Sequence, residues 1–124
     1  MKDLTIILTN KPGTLADAFE ALGKAGINSA GTCGFPAGDE GVLHVLVEDA
    51  AAATKAIEGA GLEVRDERDV VLVGPLPAQP GTGAAVLRRI ANQGVNVDLL
   101  YITEDGRVVL GGGDVPALDR AARA

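Results

Sequence analysis

The residues with the clearest chemical potential are the triplet Pro12-Gly13-Thr14 and its repeat Pro80-Gly81-Thr82. Each triplet lies between a segment rich in Val, Leu and Ile and a segment with helical periodicity, which predicts a loop joining a strand to a helix. Glycine lets the backbone take a positive φ and lets a ligand approach closely. Because the start of a helix offers unpaired N–H groups and a partial positive charge, such a loop is suited to binding a small anion such as a carboxylate.

Two asparagines accompany the first triplet. Asn10 precedes the loop, and Asn28 follows Gly26 at the start of the next predicted strand. A side-chain amide supplies both donors and acceptors, and a zwitterionic amino acid needs both kinds of partner. The alternative is that Pro-Gly and Gly-x-Asn are ordinary turn sequences with no ligand. The residues alone leave both interpretations open.

The two triplets belong to a longer internal repeat with an offset of 68 residues (position 80 minus position 12). The same offset pairs both apolar and special residues: Leu8 with Leu76, Phe19 with Leu87, Leu22 with Ile90, Gly26 with Gly94, and Asn28 with Asn96. Matches of several residue types at one fixed offset indicate a duplication.

The first copy has the predicted order β-α-β-β-α-β. Strands are predicted at 4–9, 27–35, 42–48 and 62–67, with a turn at 36–39. We expect Thr14 to cap the first helix and an apolar stripe on that helix to be buried. Asp49 is expected to cap the second helix, which is rich in alanine. The stripe consists of Leu15, Ala18, Phe19, Leu22 and Ala25.

The second copy is shorter. Strands are predicted at 70–76, 95–103 and 107–110, and helices at 83–93 and after Asp114. The fold class is therefore α+β, with two ferredoxin-like βαββαβ units side by side, the second lacking its last strand. The predicted domains are 1–68 and 69–124. Pro75 lies in the predicted strand that has lost its neighbour, which suits an edge strand, so we expect a second subunit to cover that edge in a homodimer.

Composition excludes several classes of partner. The net charge is −6 and the sequence pI is about 4.6, with no Lys/Arg cluster, which disfavours nucleic acids and anionic membrane surfaces. No apolar run approaches the roughly 20 residues of a membrane span, and the N-terminus shows no signal-peptide pattern. The single cysteine excludes an internal disulfide. We expect a soluble cytoplasmic protein with no cofactor and no metal.

Other motifs point to chemistry less strongly. The Gly81-Thr82-Gly83 segment, with Asp98 after the next predicted strand, resembles a dinucleotide-binding fingerprint, but too little chain remains for a doubly wound sheet. His44 is the only histidine, so it makes a poor metal site, and it is expected on the sheet face away from the helices. Cys33 is expected to be a small buried hydrophobe. These residues predict no catalytic group.

The run Asn10-Lys11-Pro12-Gly13-Thr14-Leu15, with Gly26-Ile27-Asn28 after the helix, resembles the ACT domain, and the resemblance extends over nearly the whole chain, twice. In that family an Asn-x-Pro-Gly-x-Leu loop and a Gly-(Ile/Val)-Asn strand start line amino-acid effector sites, usually where two such domains meet. The resemblance implies a first site at Asn10, Pro12, Gly13, Thr14, Leu15 and Asn28. It matches Gln79, Gly81, Thr82 and Asn96 to a second.

The second copy departs from the family pattern, because Gln79 is matched to Asn10 and Gly83 replaces Leu15. We therefore predict an amino-acid-binding regulatory protein that is not an enzyme, with its better site in the first copy. Its output would pass through a regulated partner protein. The alternative is an interaction or scaffold module of the same fold that binds no ligand and acts through its sheet face.

Overall fold

The first 69 residues of the computed structural model, which describes residues 1–123, contain four strands and two helices. A strand in this unit forms where apolar residues alternate, and a helix forms where they recur every three or four positions. The elements are β1 (Lys2–Thr9), α1 (Thr14–Lys24), β2 (Gly31–Ala37), β3 (Glu40–Val47), α2 (Ala50–Gly59) and β4 (Glu63–Asp69).

The sheet order is β2-β3-β1-β4, and β3 runs antiparallel to both β1 and β2. This is the strand order of a ferredoxin-like βαββαβ unit. Alternate residues of the two central strands face the helices. The resulting core combines strand residues Leu4, Ile6, Leu8, Leu43, Val45 and Val47 with helix residues Ala18, Leu22, Ala50, Ala53 and Ile57.

The rest of the chain forms a second, smaller sheet with two helices. Its elements are β5 (Val71–Val73), α3 (Thr82–Asn92), β6 (Leu99–Ile102), β7 (Val108–Gly111) and α4 (Val115–Arg123). The sheet order is β5-β7-β6 and both pairings are antiparallel. Up to residue 123 no fourth strand joins this sheet, so β5 lies at its edge. The predicted α+β fold of two ferredoxin-like repeats, the second one strand short, is confirmed.

Contacts divide the chain into two compact units, Met1–Arg68 and Asp69–Ala124. The second unit has its own core, formed by Val71, Val73, Val86, Ile90, Val108, Leu110, Leu118, Ala121 and Ala122. That the two units are independent domains stays a prediction.

Helix caps were predicted with mixed success. The carboxylates of Asp49 and Asp114 accept hydrogen bonds from the N–H groups of Ala52 and Ala117, each at 3.0 Å, so both predicted caps are confirmed. The predicted cap at Thr14 is wrong. Gly13 is the N-cap residue of α1, with φ 93° and no side-chain cap hydrogen bond.

Three predicted strands are too long at their N- or C-terminal ends. Residues 27–30 and 95–98 connect helix to strand instead of belonging to the strand, because the amides of Ile27 and Val95 bond back to the helix carbonyls of Leu22 and Ile90. The strand predicted at 70–76 ends at Val73. Gly74 has φ 100°, and a Cβ there would lie 2.5 Å from the amide nitrogen of Leu76, so the chain turns at a position open only to glycine.

Candidate ligand-binding site

The loop between β1 and α1 is closed by one side chain. The hydroxyl of Thr14 donates to the backbone oxygen of Thr9 at 2.7 Å and lies 3.1 Å from the oxygen of Lys11. The amide of Asn10 donates to the oxygen of Asp39 at 3.0 Å, which ties the loop to the β2–β3 hairpin. Thr14 therefore holds the loop in shape, and its proton is used within the protein.

The loop between β5 and α3 repeats this geometry. The hydroxyl of Thr82 donates to the oxygen of Pro77 at 2.9 Å and lies 3.1 Å from the oxygen of Gln79. Gly81 has φ 91°, close to the value at Gly13. These bonds place Gln79 at the position of Lys11, 68 residues earlier, and not at that of Asn10. Ala78 occupies the Asn10 position, so matching Gln79 to Asn10 was wrong and the second loop has no amide there.

The first loop borders a cavity of about 640 Å³, a volume within the range of small-molecule sites. It lies between the loop, the exposed side of α1 and the first half of the β2–β3 hairpin. Five of the six residues predicted for the first site line it: Asn10, Pro12, Gly13, Thr14 and Leu15. The other lining residues are Leu8, Thr9, Lys11, Phe19, Thr32, Gly34, Phe35, Pro36, Gly41, Val42 and Leu43.

Both phenylalanines of the chain line this cavity and both remain exposed. The exposed fraction is 41% for Phe19 and 49% for Phe35, and it is 51% for Leu15. The prediction that Leu15 and Phe19 belong to the buried stripe of α1 is therefore wrong, whereas Ala18 and Leu22 are buried as expected. Large apolar side chains that stay exposed beside a cavity indicate a ligand or a partner surface.

Polar groups of the cavity are concentrated at the loop. The first hydrogen bond of α1 runs from the amide of Asp17 to the oxygen of Gly13. The N–H groups of Thr14, Leu15 and Ala16 precede it and have no partner within the helix. Lys11 is the one charged side chain among the lining residues, and no carboxylate lines the cavity. This end of the cavity is therefore electropositive and suits a carboxylate.

Asn28 lies apart from the loop. It lines a smaller cavity of about 260 Å³ with Met1, Leu46 and Glu48, at the opposite end of β1 and β3. The length of β1 places the two ends roughly 23 Å apart, at about 3.3 Å per residue. Within the first unit, Asn10 and Asn28 therefore cannot contact one small ligand. Asn96, its counterpart in the second unit, is also exposed.

His44 and Cys33 belong to the neighbouring face of the first sheet. Because Leu43 and Val45 face the helices, His44 faces away from them, as predicted. Its Nδ1 lies 2.9 Å from a carboxylate oxygen of Asp3, which is fully buried. This is the arrangement of a buried structural pair. Cys33 is a free cysteine and only partly buried, so its assignment as a buried hydrophobe was wrong.

Two other types of site receive no support. Within residues 1–123, no three His, Cys, Asp or Glu side chains are grouped so that they could hold a metal ion. The short antiparallel sheet around β5 differs from the parallel sheet that a dinucleotide fingerprint requires. None of the helices described is long and apolar enough to cross a membrane.

The residues that sequence reasoning missed are Lys11, Phe19, Gly34 and Phe35. One signal was available for two of them. In a chain with two phenylalanines and no tryptophan, each phenylalanine deserves a structural explanation. Phe19 was instead assigned to the core by helical spacing, and Phe35 was taken only as a strand residue.

Comparison with known proteins gives matches among solved structures alone. No protein-family model matches the chain, and no curated protein matches it by sequence. The structure of protein BT0572 from Bacteroides thetaiotaomicron is similar with a TM-score of 0.86 and 30% identity, covering 98% of this chain and 85% of that one.

Two further structures are regulatory subunits of aspartate kinase, both 23% identical. The one from Thermus thermophilus has a TM-score of 0.73 and covers 98% of this chain and 89% of its own. The one from Thermus flavus has a TM-score of 0.69, with 98% and 90% covered. Together with the loop at Asn10–Leu15 and the β2-β3-β1-β4 sheet order, these similarities show that the chain belongs to the ACT-domain family.

Proposed function

We propose that this protein is a regulatory protein that binds a free amino acid in the cavity beside the Asn10–Leu15 loop. The observation that carries the proposal is the cavity itself, since it brings five separately predicted residues to one electropositive, partly apolar site. Regulation is the role named for the aspartate kinase subunits of similar fold, and we extend that role to this chain in preference to catalysis.

The loop offers partners for both ends of a zwitterion. The carboxylate of the ligand would accept hydrogen bonds from the free N–H groups at the start of α1, close to the ammonium of Lys11. The exposed amide of Asn10 would accept from the ligand's ammonium through Oδ1. Thr14 contributes by holding the loop, because its proton is already committed to Thr9.

The exposed side chains around the cavity suggest that another protein surface completes the site. We propose that a second copy of the chain covers Leu15 and Phe19 in a homodimer, and that Asn28 takes part only through such an assembly. Ligand binding would then alter the affinity between subunits, or their affinity for a regulated partner protein.

A thermal-shift screen of the full chain against the twenty amino acids at millimolar concentration tests the proposal. A ligand that binds only the folded state raises its stability by about 2.7 kcal/mol when present at a hundred times its Kd. We expect one amino acid, or a few related ones, to raise the Tm. Asn10→Ala should weaken binding by about 1–3 kcal/mol. Asn92→Ala, an exposed asparagine at the end of α3, is the matched control and should bind as the wild type does.

A second candidate function is an interaction module, and exposed side chains of the second unit favour it. Leu87, Leu100 and Ile102 are all exposed, and the last two lie on the edge strand β6. An exposed apolar edge strand is a site for pairing with another chain. If no amino acid shifts the Tm while Ile102→Glu abolishes self-association or partner capture, this function replaces the first. The sheet-face form of this alternative is unsupported in the first unit, where Ile7 and Leu46 are buried.

A further inference from the structure

The lining of the first cavity is mostly apolar away from the loop. Eight of its side chains are hydrocarbon or proline, and the two phenylalanines lie on different elements, one on α1 and one on β2. On the basis of the function proposed above, we propose that the ligand is an amino acid with an apolar side chain, either branched aliphatic or aromatic.

The exposed phenylalanines give the first argument. Phe19 and Phe35 leave almost half of their surface in contact with water in the free protein. Covering that surface with a hydrocarbon group is favourable, and covering it with a polar side chain that finds no hydrogen-bond partner is unfavourable. Rings on two sides of the cavity therefore select for an apolar group between them.

Charge gives the second argument. No carboxylate lines the cavity, so the side chain of a bound lysine or arginine would have no counter-charge and would meet the ammonium of Lys11. That ammonium and the helix N-terminus favour one negative group, which the α-carboxylate of any amino acid supplies. Acidic side chains would add a second charge against an apolar wall.

Space gives the third argument. Gly34 and Gly41 lie on the cavity floor in neighbouring strands, and neither has a positive φ. A Cβ added at Gly34 would lie 3.7 Å from Leu43 Cδ1, and one at Gly41 would lie 3.6 Å from Leu8 Cβ, both ordinary van der Waals distances. The fold thus tolerates side chains at both positions, and their absence leaves room for a bulky ligand side chain.

Isothermal titration calorimetry of the full chain tests the inference. The probes are L-leucine, L-phenylalanine, L-threonine, L-lysine and 4-methyl-2-oxopentanoate, the oxo acid that matches leucine. We expect leucine or phenylalanine to bind at least about tenfold more tightly than threonine and lysine, the scale expected for burying a few methylene groups. We expect the oxo acid to bind more weakly than leucine, because it lacks the ammonium that Asn10 accepts.

Gly34→Val is the occluding variant and Ala37→Val is its matched control. Both add a β-branched side chain to β2, but only position 34 faces the cavity. Gly34→Val should weaken leucine or phenylalanine binding at least about tenfold, and Ala37→Val should leave it unchanged. Should Gly34→Val fail to fold, Phe19→Gln on the exposed side of α1 replaces it, and the preference for leucine or phenylalanine over threonine should then fall.

The outcomes separate this inference from the function on which it rests. Tighter binding of lysine or threonine overturns the apolar preference and leaves amino-acid binding standing. Equal binding of leucine and its oxo acid overturns the amino-acid class in favour of any small carboxylic acid with an apolar tail. Unchanged binding in a folded Gly34→Val variant moves the site elsewhere and overturns the inference. Absence of binding by every probe, and by the remaining amino acids in the thermal screen, overturns both proposals.

Discussion

The hydroxyl of Thr14 donates a hydrogen bond to the backbone oxygen of Thr9 at 2.7 Å, which joins the first residue of α1 to the last residue of β1. Thr82 and Pro77 make the same link in the second unit at 2.9 Å. The duplication has thus preserved a structural device that shapes the loop, although the neighbouring residues that could contact a ligand differ between the two loops.

Thr14→Val should destabilise the first unit by about 1 kcal/mol, the usual contribution of one such hydrogen bond. Valine has nearly the same shape, so the loss reports the hydroxyl. Urea unfolding followed by circular dichroism measures the change, and Thr32→Val on the exposed edge strand β2 is the control, with a change near zero. Equal stability of Thr14→Val and wild type would show that the loop does not depend on this bond.

Gly13→Ala should destabilise the protein by about 1–2 kcal/mol, because the φ of 93° lies in the left-handed region that alanine avoids. Gly23→Ala lies within α1 with nothing within 4 Å of the added Cβ. It should stabilise by about 0.5–1 kcal/mol through helix propensity. The two variants make the same chemical change with opposite expected signs, so thermal unfolding of the pair checks the backbone geometry. A stabilising Gly13→Ala would contradict it.

His44→Gln should destabilise the protein by about 1–3 kcal/mol, because the buried carboxylate of Asp3 would lose the donor that lies 2.9 Å away. An ionised carboxylate accepts only, so Nδ1 of His44 is the donor. Asp3→Asn tests the other partner. Glu20→Gln makes a comparable carboxylate-to-amide change on the exposed surface of α1 and should change the free energy of unfolding little. Losses no larger than that of Glu20→Gln would argue against a buried pair.

Glu40 and Arg65 give a prediction about pH. Two hydrogen bonds from Arg65, at 2.9 and 3.2 Å, hold the pKa of the Glu40 carboxyl below its ordinary value. Because the folded-state pKa is lowered, the contribution to stability is present above the unfolded-state pKa and is lost as pH falls through the folded-state pKa. NMR titration should show the pKa of Glu40 rising in Arg65→Gln. An unchanged pKa would mean that the ion pair does not form in solution.

The alternation of apolar residues was sufficient to predict the fold from sequence. Leu4, Ile6 and Leu8 point to one side of the sheet and repeat in β3, so strand existence and order followed from a period of two. Strand ends were less predictable. The amide of Ile27 continues the helix-terminating hydrogen bonds, and apolarity at that position cannot distinguish a C-cap contact from the start of a strand.

The site was only half predictable for a related reason. Spacing shows that Leu15 and Phe19 share a side of α1 with Ala18 and Leu22, but it cannot say how far the core extends around the helix. Asn10 and Asn28 each carry the right group, yet their separation depends on the length of β1 between the two cavities. Such distances are set by tertiary structure and not by local sequence.

The most direct test of the account is a ¹H–¹⁵N correlation titration of the full chain with L-leucine and, separately, with L-phenylalanine at millimolar concentration. The account predicts saturable shifts in the amides of residues 10–16 and 32–36, which surround the cavity, and these shifts should be absent in Gly34→Val. Shifts confined to the second unit, or no shift with either amino acid, would contradict the placement of an apolar amino acid beside the Asn10–Leu15 loop.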